Sequence, residues 1–448
     1  MTFYNITHQI SKIKKNEIYT VVESLTPESV ENIFSGIRER KRIYHLHPLL
    51  QLYLIQIAGG LTDRSTVSKG INQGLLPITT SPTASSYCTA KTLLTEKALK
   101  SLAMRTGETL ETCAKERWMF GNRPVKVVDG TSVELTDTPD NQAEYPQPKP
   151  QKKGCGFPVM NMCVLMGLES GGIIDVETIA GTGYEHPLFR LLWRSLEKGD
   201  IILGDALYGS YAEVALLQIM GVDCVFRKGT KKFKREDAVE LDNGDWLYHW
   251  KRPVSPGKWI DSDELPESIV VRVIHAVINR KGFRSKNVTI YTTLLDTDEY
   301  TRDDLLELYR RRWDIELRFR DIKTTMGFEM LRSKCPSACR RELWAGILLY
   351  NLIRTIMLDA ALQYKVCMAR LSFKGAIDRF AEMMSGLYIH LDPWQAYQLL
   401  IRNIALDINP DRPFRIEPRK LKQRPKNYRL LNIPRKLERK LIEIGYTA

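Results

Sequence analysis

At 448 residues the chain is too long for one ordinary hydrophobic core, so two to four domains are expected. Hydrophobic residues make up 43% of it and charged residues 27%, a balance that excludes an intrinsically disordered protein. The net charge of +13 favours a polyanionic partner such as nucleic acid, although mildly basic soluble proteins are also common.

Nothing in the sequence predicts membrane association or export. The first fifteen residues lack the apolar core of a signal peptide. The most apolar run, 343–353, is too short to span a bilayer and predicts a buried helix. The eight cysteines are scattered without zinc-site spacing, which is typical of reduced thiols. We therefore expect a cytoplasmic protein.

Residues 1–115 are expected to form a helical N-terminal region. Apolar residues recur three and four positions apart in 27–37 and 49–58, and 81–91 has the pattern of a turn that opens a helix. Lysine and arginine on its exposed side favour binding to DNA ends, and a generic helical subdomain is the alternative.

The pattern changes at residues 116–227, where strands and helices alternate. Short apolar strands are predicted at 124–128, 159–168, 173–179, 201–203 and 222–226, and helices at 186–197 and 211–220. Three sequential strands followed by αβ units predict an α/β fold with a mixed sheet and helices on its faces. This order matches a ribonuclease-H-like catalytic core.

The remaining chain divides into four predicted parts. Residues 228–294 form a β-rich insertion, with strands at 246–250, 268–279 and 287–294. Residues 295–335 contain the last helix of the core, continuous over 301–326 and capped by Thr301-x-x-Asp304. Residues 336–409 form a helical C-terminal region. The segment 410–448 carries twelve basic and four acidic residues with five prolines, and is an extended basic arm suited to a phosphate backbone.

Two aspartates are candidate metal ligands. Asp129 follows the predicted strand at 124–128, and Asp205 follows the one at 201–203. Carboxylates at the ends of neighbouring strands can converge at one sheet edge and supply the oxygen ligands that Mg²⁺ prefers. Taken alone, either aspartate is more typical of a turn or a helix N-cap than of a metal ligand.

The helix at 301–326 carries four polar residues on one face. On a straight helix, Tyr309, Arg312, Glu316 and Lys323 fall within about 60° of arc. A glutamate between an arginine and a lysine is expected to be ionised and able to bind metal, while the cations suit a phosphodiester. The alternative is salt bridging within the helix, since Arg312 and Glu316 are four residues apart.

The spacing Tyr-x2-Arg-x3-Glu-x6-Lys resembles the signature of DDE transposases of the insertion-sequence-four family. Asp129-Gly-Thr resembles the first catalytic aspartate of that family, and the segment 203–209 resembles the second. The segments 153–158, 181–186 and 412–431 are also similar to family segments. Ala206 stands where the family usually has the arginine of Asp-Arg-Gly-Tyr. If that arginine normally helps to neutralise the charge of DNA, another residue of this protein must do so.

The resemblance implies a DNA transposase that cuts and pastes an insertion sequence through a DNA hairpin. It implies that Asp129, Asp205 and Glu316 are catalytic and bind two Mg²⁺ ions, with Mn²⁺ able to substitute, and that Tyr309, Arg312 and Lys323 bind DNA. Double-stranded DNA and a second copy of the chain are the expected partners.

A hairpin requires a flipped base and an aromatic side chain to receive it. The candidates within the insertion are Tyr291, Trp246, Trp250 and Trp259, each of which is also typical of sheet packing. A catalytically silent DNA-binding protein, such as a transposition inhibitor or a domesticated transposase, is the alternative function. A plain nuclease of the same fold is a third reading, which leaves the insertion and the basic arm unexplained.

Overall fold

The computed structural model describes residues 30–34, 43–180, 185–228, 234–278, 286–384, 392–410 and 430–444. Most of the basic arm predicted at 410–448, the first 29 residues and the start of the segment 181–186 therefore lie outside the described residues. Helices before the sheet are α1 (Val30–Ile33), α2 (Leu46–Ala58), α3 (Asp63–Asn72), α4 (Ser85–Ala90) and α5 (Glu96–Cys113).

Within the described residues, ten strands form one mixed sheet. The strands are β1 (Val125–Leu135), β2 (Val159–Gly167), β3 (Ile173–Ala180), β4 (Ile201–Gly204), β5 (Asp223–Arg227), β6 (Ala238–Glu240), β7 (Trp246–Lys251), β8 (Ser268–Ile278), β9 (Lys286–Thr292) and β10 (Met330–Leu331). Their order is β3-β2-β1-β4-β5-β9-β8-β7-β6, with β10 paired to β1. Strands β1, β2 and β3 are antiparallel, whereas β1, β4 and β5 run parallel. This is the topology of the predicted ribonuclease-H-like core.

The first strand is longer than the sequence predicts. The expected strand ended at residue 128, but β1 continues to Leu135 and pairs with β2 from Lys126 to Glu134. Asp129 thus lies inside a strand, opposite Val164, and does not follow its end. The polar run Asp-Gly-Thr-Ser conceals the strand, and pairing with β2 and β10 holds it extended.

Helices cover both faces of the sheet. The remaining helices are α6 (Pro139–Glu144), α7 (Glu185–Leu191), α8 (Tyr211–Ile219), α9 (Arg302–Arg311), α10 (Asp314–Arg320), α11 (Pro336–Gln363), α12 (Phe373–Met384), α13 (Pro393–Leu406) and α14 (Arg435–Glu443). Helices α5 and α11 share one core with one face, and α7 and α8 share a second core with the other. Asn351 of α11 joins this helix to β3 and α5, because its side-chain amide forms hydrogen bonds with the backbone of Ile173 and Ala103.

The helix predicted over 301–326 is not continuous. Thr301 caps α9 by accepting a hydrogen bond from the Asp304 amide, as predicted. Tight turns between Tyr309 and Glu316 then separate α9 from α10, and Asp321–Thr325 is π-helical. Because 3₁₀ turns and π turns rotate residues by different angles from an α-helix, the straight-helix arithmetic fails beyond this break.

Strands of the predicted insertion extend the core sheet, since β9 pairs antiparallel with β5. Within the described residues, one helix is long and apolar enough to cross a membrane by composition, namely α11. It is almost wholly buried inside the protein, which confirms the buried helix predicted at 343–353.

Candidate active site

The sheet brings Asp129 and Asp205 to the same level. Val127 of β1 is aligned with Leu203 of the parallel strand β4, and each aspartate comes two residues later. An Asp129 oxygen accepts a hydrogen bond from the Gly130 amide at 2.9 Å. An Asp205 oxygen accepts one from the Leu207 amide at 2.7 Å, which holds it at the start of the loop before α8.

Arg312 joins two of the three predicted acids. Its guanidinium lies 3.7 Å from a carboxylate oxygen of Asp129 on the sheet and 3.7 Å from one of Glu316 on α10. The Arg312–Glu316 pair is the intrahelical alternative raised from the sequence, but the same arginine also reaches across to β1. The break between α9 and α10 therefore leaves Glu316 paired with Arg312, which links it to Asp129 on β1.

The other two residues of the predicted helix face differ in position. Tyr309 is only 7% exposed, its ring packs in the core, and Arg312 lies 5.9 Å from the ring centroid. Burial raises the pKa of Tyr309, and the charge of Asp205 raises it further, so its hydroxyl stays protonated beside the acids. Lys323 lies in the π-helical segment, where burial lowers its pKa. The described residues show no ion pair between Lys323 and the other three.

The pKa of Asp129 is raised to about 6, chiefly by burial and with smaller contributions from the charges of Asp205 and Glu185, while the Gly130 amide and Arg312 oppose the increase. Partly desolvated carboxylates that repel one another are stabilised by a cation. Their oxygen atoms are the donors that a hard divalent ion prefers, so the residues fit Mg²⁺. Among the described residues, however, no three such side chains are already gathered as a metal-binding group. Glu316, whose side chain is 42% exposed, has room to move.

Sequence reasoning missed a fourth acid, Glu185, as a site residue. It is the first residue of α7, and its carboxylate packs against Gly130, on the face of β1 opposite the Asp129 side chain. Tyr208, three residues after Asp205, donates a hydrogen bond to it at 3.0 Å. The available signal was an acid placed directly between a strand and a helix, within a segment already noted for its family resemblance.

The turn between β2 and β3 anchors α9, the helix that ends directly before Arg312, and α11. Arg311, at the end of α9, forms a two-pronged ion pair with Glu169. Arg354 of α11 is fully buried and donates two hydrogen bonds to the carbonyl of Ser170. These contacts fix the turn to α9 and α11, and α10, which carries Glu316, begins three residues after the anchored Arg311.

The four aromatic candidates of the insertion differ in access. Tyr291 is 4% exposed and packs edge-on against Trp250. Trp250 and Trp246 are half-buried, with Lys228 4.0 Å from the first ring and Arg235 5.2 Å from the second. Trp259 is 40% exposed, and the guanidinium of Arg190 lies 3.9 Å above its ring.

Known proteins similar to this chain are transposases. The family model of the transposase DDE domain matches residues 121–352, a segment that contains Asp129, Asp205 and Glu316. Transposase InsG of insertion sequence element IS4, from Escherichia coli (strain K12), is 28% identical over 313 residues, or 67% of this chain and 68% of InsG. The putative transposase InsL of element IS186A, from the same strain, is 30% identical over 81 residues, or 18% of this chain and 22% of InsL.

A structural similarity is weaker. The cryo-EM structure of the piggyBac transposase synaptic complex with hairpin DNA aligns with 92% of this chain and 86% of that chain, at 8% identity and a TM-score of 0.43. A similarity at this level does not bear on mechanism.

The family match covers more than half of the chain and includes all three predicted acids, so the protein is a DNA transposase. The chain belongs to the transposase DDE domain family, and the similarity to InsG confirms its resemblance to the insertion-sequence-four group.

Proposed function

We propose that this transposase binds the ends of an insertion sequence, cleaves them, and joins them to target DNA. Asp129, Asp205 and Glu316 are its catalytic acids. The observation that carries the proposal is the pairing of Arg312 with both Asp129 and Glu316, beside Asp205 on the adjoining parallel strand. Residues that are far apart in the sequence thus meet with the charges that phosphodiester cleavage needs.

Asp129, Asp205 and Glu316 would hold two Mg²⁺ ions, or Mn²⁺ in their place. When bound, such ions supply Lewis acidity and a low-pKa water for phosphoryl chemistry. In hydrolysis, the water oxygen bonds to phosphorus and the bond between phosphorus and the 3′ oxygen breaks. The released 3′ hydroxyl then attacks a phosphodiester of the opposite strand, which forms the hairpin and releases the 3′ hydroxyl of the flanking DNA. A second water opens the hairpin by hydrolysis and regenerates the 3′ hydroxyl at the element end, which attacks a target phosphodiester and releases a 3′ hydroxyl of the target strand.

The cationic residues position the DNA. Arg312 has a planar guanidinium suited to a phosphate, and once DNA is bound it can exchange a carboxylate for a phosphate oxygen. Tyr309 contributes a neutral hydroxyl donor, and Lys323 contacts the strand beyond the cleaved bond. Their shared role is to hold the scissile phosphate against the acids.

A hairpin intermediate calls for a stacking platform in the insertion. Among the four candidates we favour Trp259, because its ring is partly exposed to solvent. The guanidinium of Arg190 that stacks on this ring belongs to α7, the short helix that begins at Glu185. Trp250 and Trp246 are second choices. Tyr291 would have to leave the core of the sheet to receive a base.

Other parts of the chain serve DNA binding and assembly. The region 1–115 is proposed to read the element ends and the arm 410–448 to follow the phosphate backbone, while 116–227 and 295–335 form the catalytic core, 228–294 the insertion and 336–409 the helical C-terminal region. A homodimer that shares DNA between its subunits is the proposed assembly. The protein would act in the bacterial cytoplasm, on nucleoid DNA.

The alternative, a catalytically silent DNA-binding protein, is disfavoured by the acids themselves. A protein that only binds DNA gains nothing from partly desolvated carboxylates that repel the phosphate backbone. The position of Asp129 at the level of Asp205, on neighbouring parallel strands, therefore favours catalysis.

The substitution Glu316→Gln tests the assignment of the third acid. It should abolish Mg²⁺-dependent nicking of DNA that carries the element ends, while gel-shift binding to those ends persists. Glu307→Gln is the matched control, because Glu307 lies in α9, one helix earlier, and its ion pair among the described residues is with Arg310. A Glu316→Gln protein that still nicks end-containing DNA would show that Glu316 is not catalytic.

A further inference from the structure

Helices α2 and α3 have the connection and the packing of a helix-turn-helix. Four residues, 59–62, join them, and Gly60 turns the chain there with a φ of 58°. Thr62 caps α3 by accepting a hydrogen bond from a backbone amide of its first turn. A Cβ atom placed on Gly70 would lie 2.7 Å from the Leu52 side chain, so glycine lets α3 pack closely on α2. A turn of this length with glycine is typical of the motif whose second helix contacts DNA.

A cluster of hydrogen bonds fixes α3 to its neighbours. Asp63, the first residue of α3, accepts a hydrogen bond from Gln56 of α2 at 2.6 Å and one from Lys91, which follows α4, at 2.6 Å. Cys88 of α4 donates to the same carboxylate at 2.9 Å, and Tyr87 donates to Gln56 at 2.9 Å. Burial raises the pKa of Asp63, but these hydrogen bonds and the charge of Lys91 outweigh burial and lower the pKa overall. The only acid in the sequence of α3 is therefore neutralised by Lys91 and holds the three helices together.

The outer side of α3 offers hydrogen-bond donors and no acid. Its polar residues are Arg64, Ser65, Ser68, Lys69 and Asn72, of which Ser68 and Lys69 are half-buried and the others exposed. With about 100° of rotation per residue, these positions share about 140° of the helix circumference. Among the residues that the structure describes, neither Arg64 nor Lys69 forms an ion pair. The whole segment 64–95 contains no aspartate or glutamate. A DNA duplex at this surface would therefore meet cations, hydroxyls and an amide, with no carboxylate to repel its phosphates.

The dimensions of α3 fit the major groove of DNA. A helix of ten residues is about 15 Å long, and a groove about 12 Å wide admits a helix. Arg64 and Asn72 lie about 12 Å apart along the axis, so they can reach different base pairs. Arginine pairs with guanine and asparagine with adenine through two hydrogen bonds each, whereas a lysine suits a phosphate. The outer side of α3 thus carries residue types that distinguish bases as well as one that holds the backbone.

The turn of this motif contacts the catalytic sheet. Arg332 donates a hydrogen bond to the backbone carbonyl of Gly60 in the turn. Arg332 directly follows β10, which pairs with the end of β1, the strand that carries Asp129. DNA held by α3 would therefore be bound next to the sheet that bears the catalytic acids.

We propose that α3 is the recognition helix of this transposase. It enters the major groove of the element end, where Arg64 and Asn72 contact base edges and Lys69 contacts a phosphate. This inference rests on the proposed function, because it names the part of the region 1–115 that reads the sequence of the ends. An outer side that is only solvated would carry no sequence preference, and its substitution would leave DNA selection unchanged.

Binding to two DNA duplexes tests the recognition helix directly. The full-length protein is titrated, without divalent metal, onto a duplex that carries the terminal repeat of its own element and onto a scrambled duplex of equal length and composition. Fluorescence anisotropy gives both dissociation constants. Arg64→Ala and Asn72→Ala should each weaken binding to the terminal repeat by about 10- to 100-fold and remove most of the preference over the scrambled duplex.

Two further variants separate base contacts from charge. Arg64→Lys keeps the positive charge without the planar fork of the guanidinium, so it should lose the preference while binding the scrambled duplex as the wild type does. Lys198→Ala is the matched control for the loss of one cation. Lys198 is exposed just before β4, at the end of that strand opposite Asp205, and its variant should bind both duplexes as the wild type does.

The outcomes separate the inference from the proposed function. If the wild type prefers the terminal repeat and the Arg64 and Asn72 variants keep that preference, the recognition-helix inference is wrong and end binding by the transposase stands. If these variants lose affinity for both duplexes equally, α3 does not read the sequence and the inference is wrong as well. If the wild type itself shows no preference, the proposed binding to element ends fails together with the inference.

Discussion

The buried carboxyl group of Glu111 is expected to make the free energy of unfolding depend on pH, and one substitution at this residue isolates the effect. It lies on α5, is 5% exposed, and accepts a hydrogen bond from Ser170 in the turn that anchors α9 and α11. Its other carboxylate oxygen is buried and has no hydrogen-bond partner among the residues that the structure describes. Burial raises the pKa of Glu111 from 4.5 to about 7, against the opposing effects of Ser170 and Lys126.

The sign and the size of this change in the free energy of unfolding follow from proton linkage. Because the folded-state pKa is raised, the unfolded chain loses its proton first as the pH rises from 4.5 to 7, and the folded state becomes progressively less stable. Below pH 4.5 the penalty vanishes, and above pH 7 it reaches its full value. The shift corresponds to a loss of about 3 kcal/mol at pH 8, of which about 2–3 kcal/mol develops between pH 5 and pH 8.

Urea denaturation at pH 5 and pH 8 measures this loss. Glu111→Gln keeps the acceptor for Ser170 but cannot ionise, so it should gain about 2–3 kcal/mol relative to the wild type between the two pH values. Glu116→Gln, at an exposed position soon after α5, is the control and should follow the wild type. If the stability difference between Glu111→Gln and the wild type is the same at both pH values, Glu111 is not protonated in the folded protein and the reasoning fails.

Two further substitutions test the site and its support. Lys323→Ala should leave Mn²⁺ binding intact and slow single-turnover cleavage at limiting DNA. It should also reduce the salt dependence of DNA binding by about one phosphate contact. Unchanged cleavage kinetics would show that Lys323 does not contact the DNA. Asp245→Asn removes the partner of the fully buried Arg272, whose guanidinium it holds at 2.6 Å, and should lower the free energy of unfolding by about 3–5 kcal/mol in urea. The exposed Asp242→Asn is its control, and equal losses in both variants would refute the buried-pair argument.

Local patterns were sufficient to locate most elements of the sheet. The strands predicted at 159–168, 173–179 and 246–250 match β2, β3 and β7 to within one residue. The helix predicted at 211–220 matches α8, which ends at Ile219. Runs of β-branched and apolar residues bounded by glycine or polar turns carry this information in the sequence itself.

The predictions from local sequence patterns were wrong where contacts with distant residues decide the backbone conformation. Asp129 was expected after a strand end and lies mid-strand, because β2 and β10 hold the polar continuation of β1. The helix predicted at 301–326 breaks near Arg312, where Arg311 is anchored to Glu169, 142 residues away in the chain. Predictions from strand patterns and ideal helix geometry take neither contact into account.

The sequence by itself determined the order of the three acids, the strands that bear two of them, and the presence of Arg312 four residues before Glu316. These depend on residue type and short spacing, which are local properties. Only the tertiary structure decided that Arg312 reaches Asp129, that Tyr309 is buried, and that Glu185 lies against Gly130. Those facts depend on how closely separate segments approach, and close approach is set by the packing of the whole sheet and its helices.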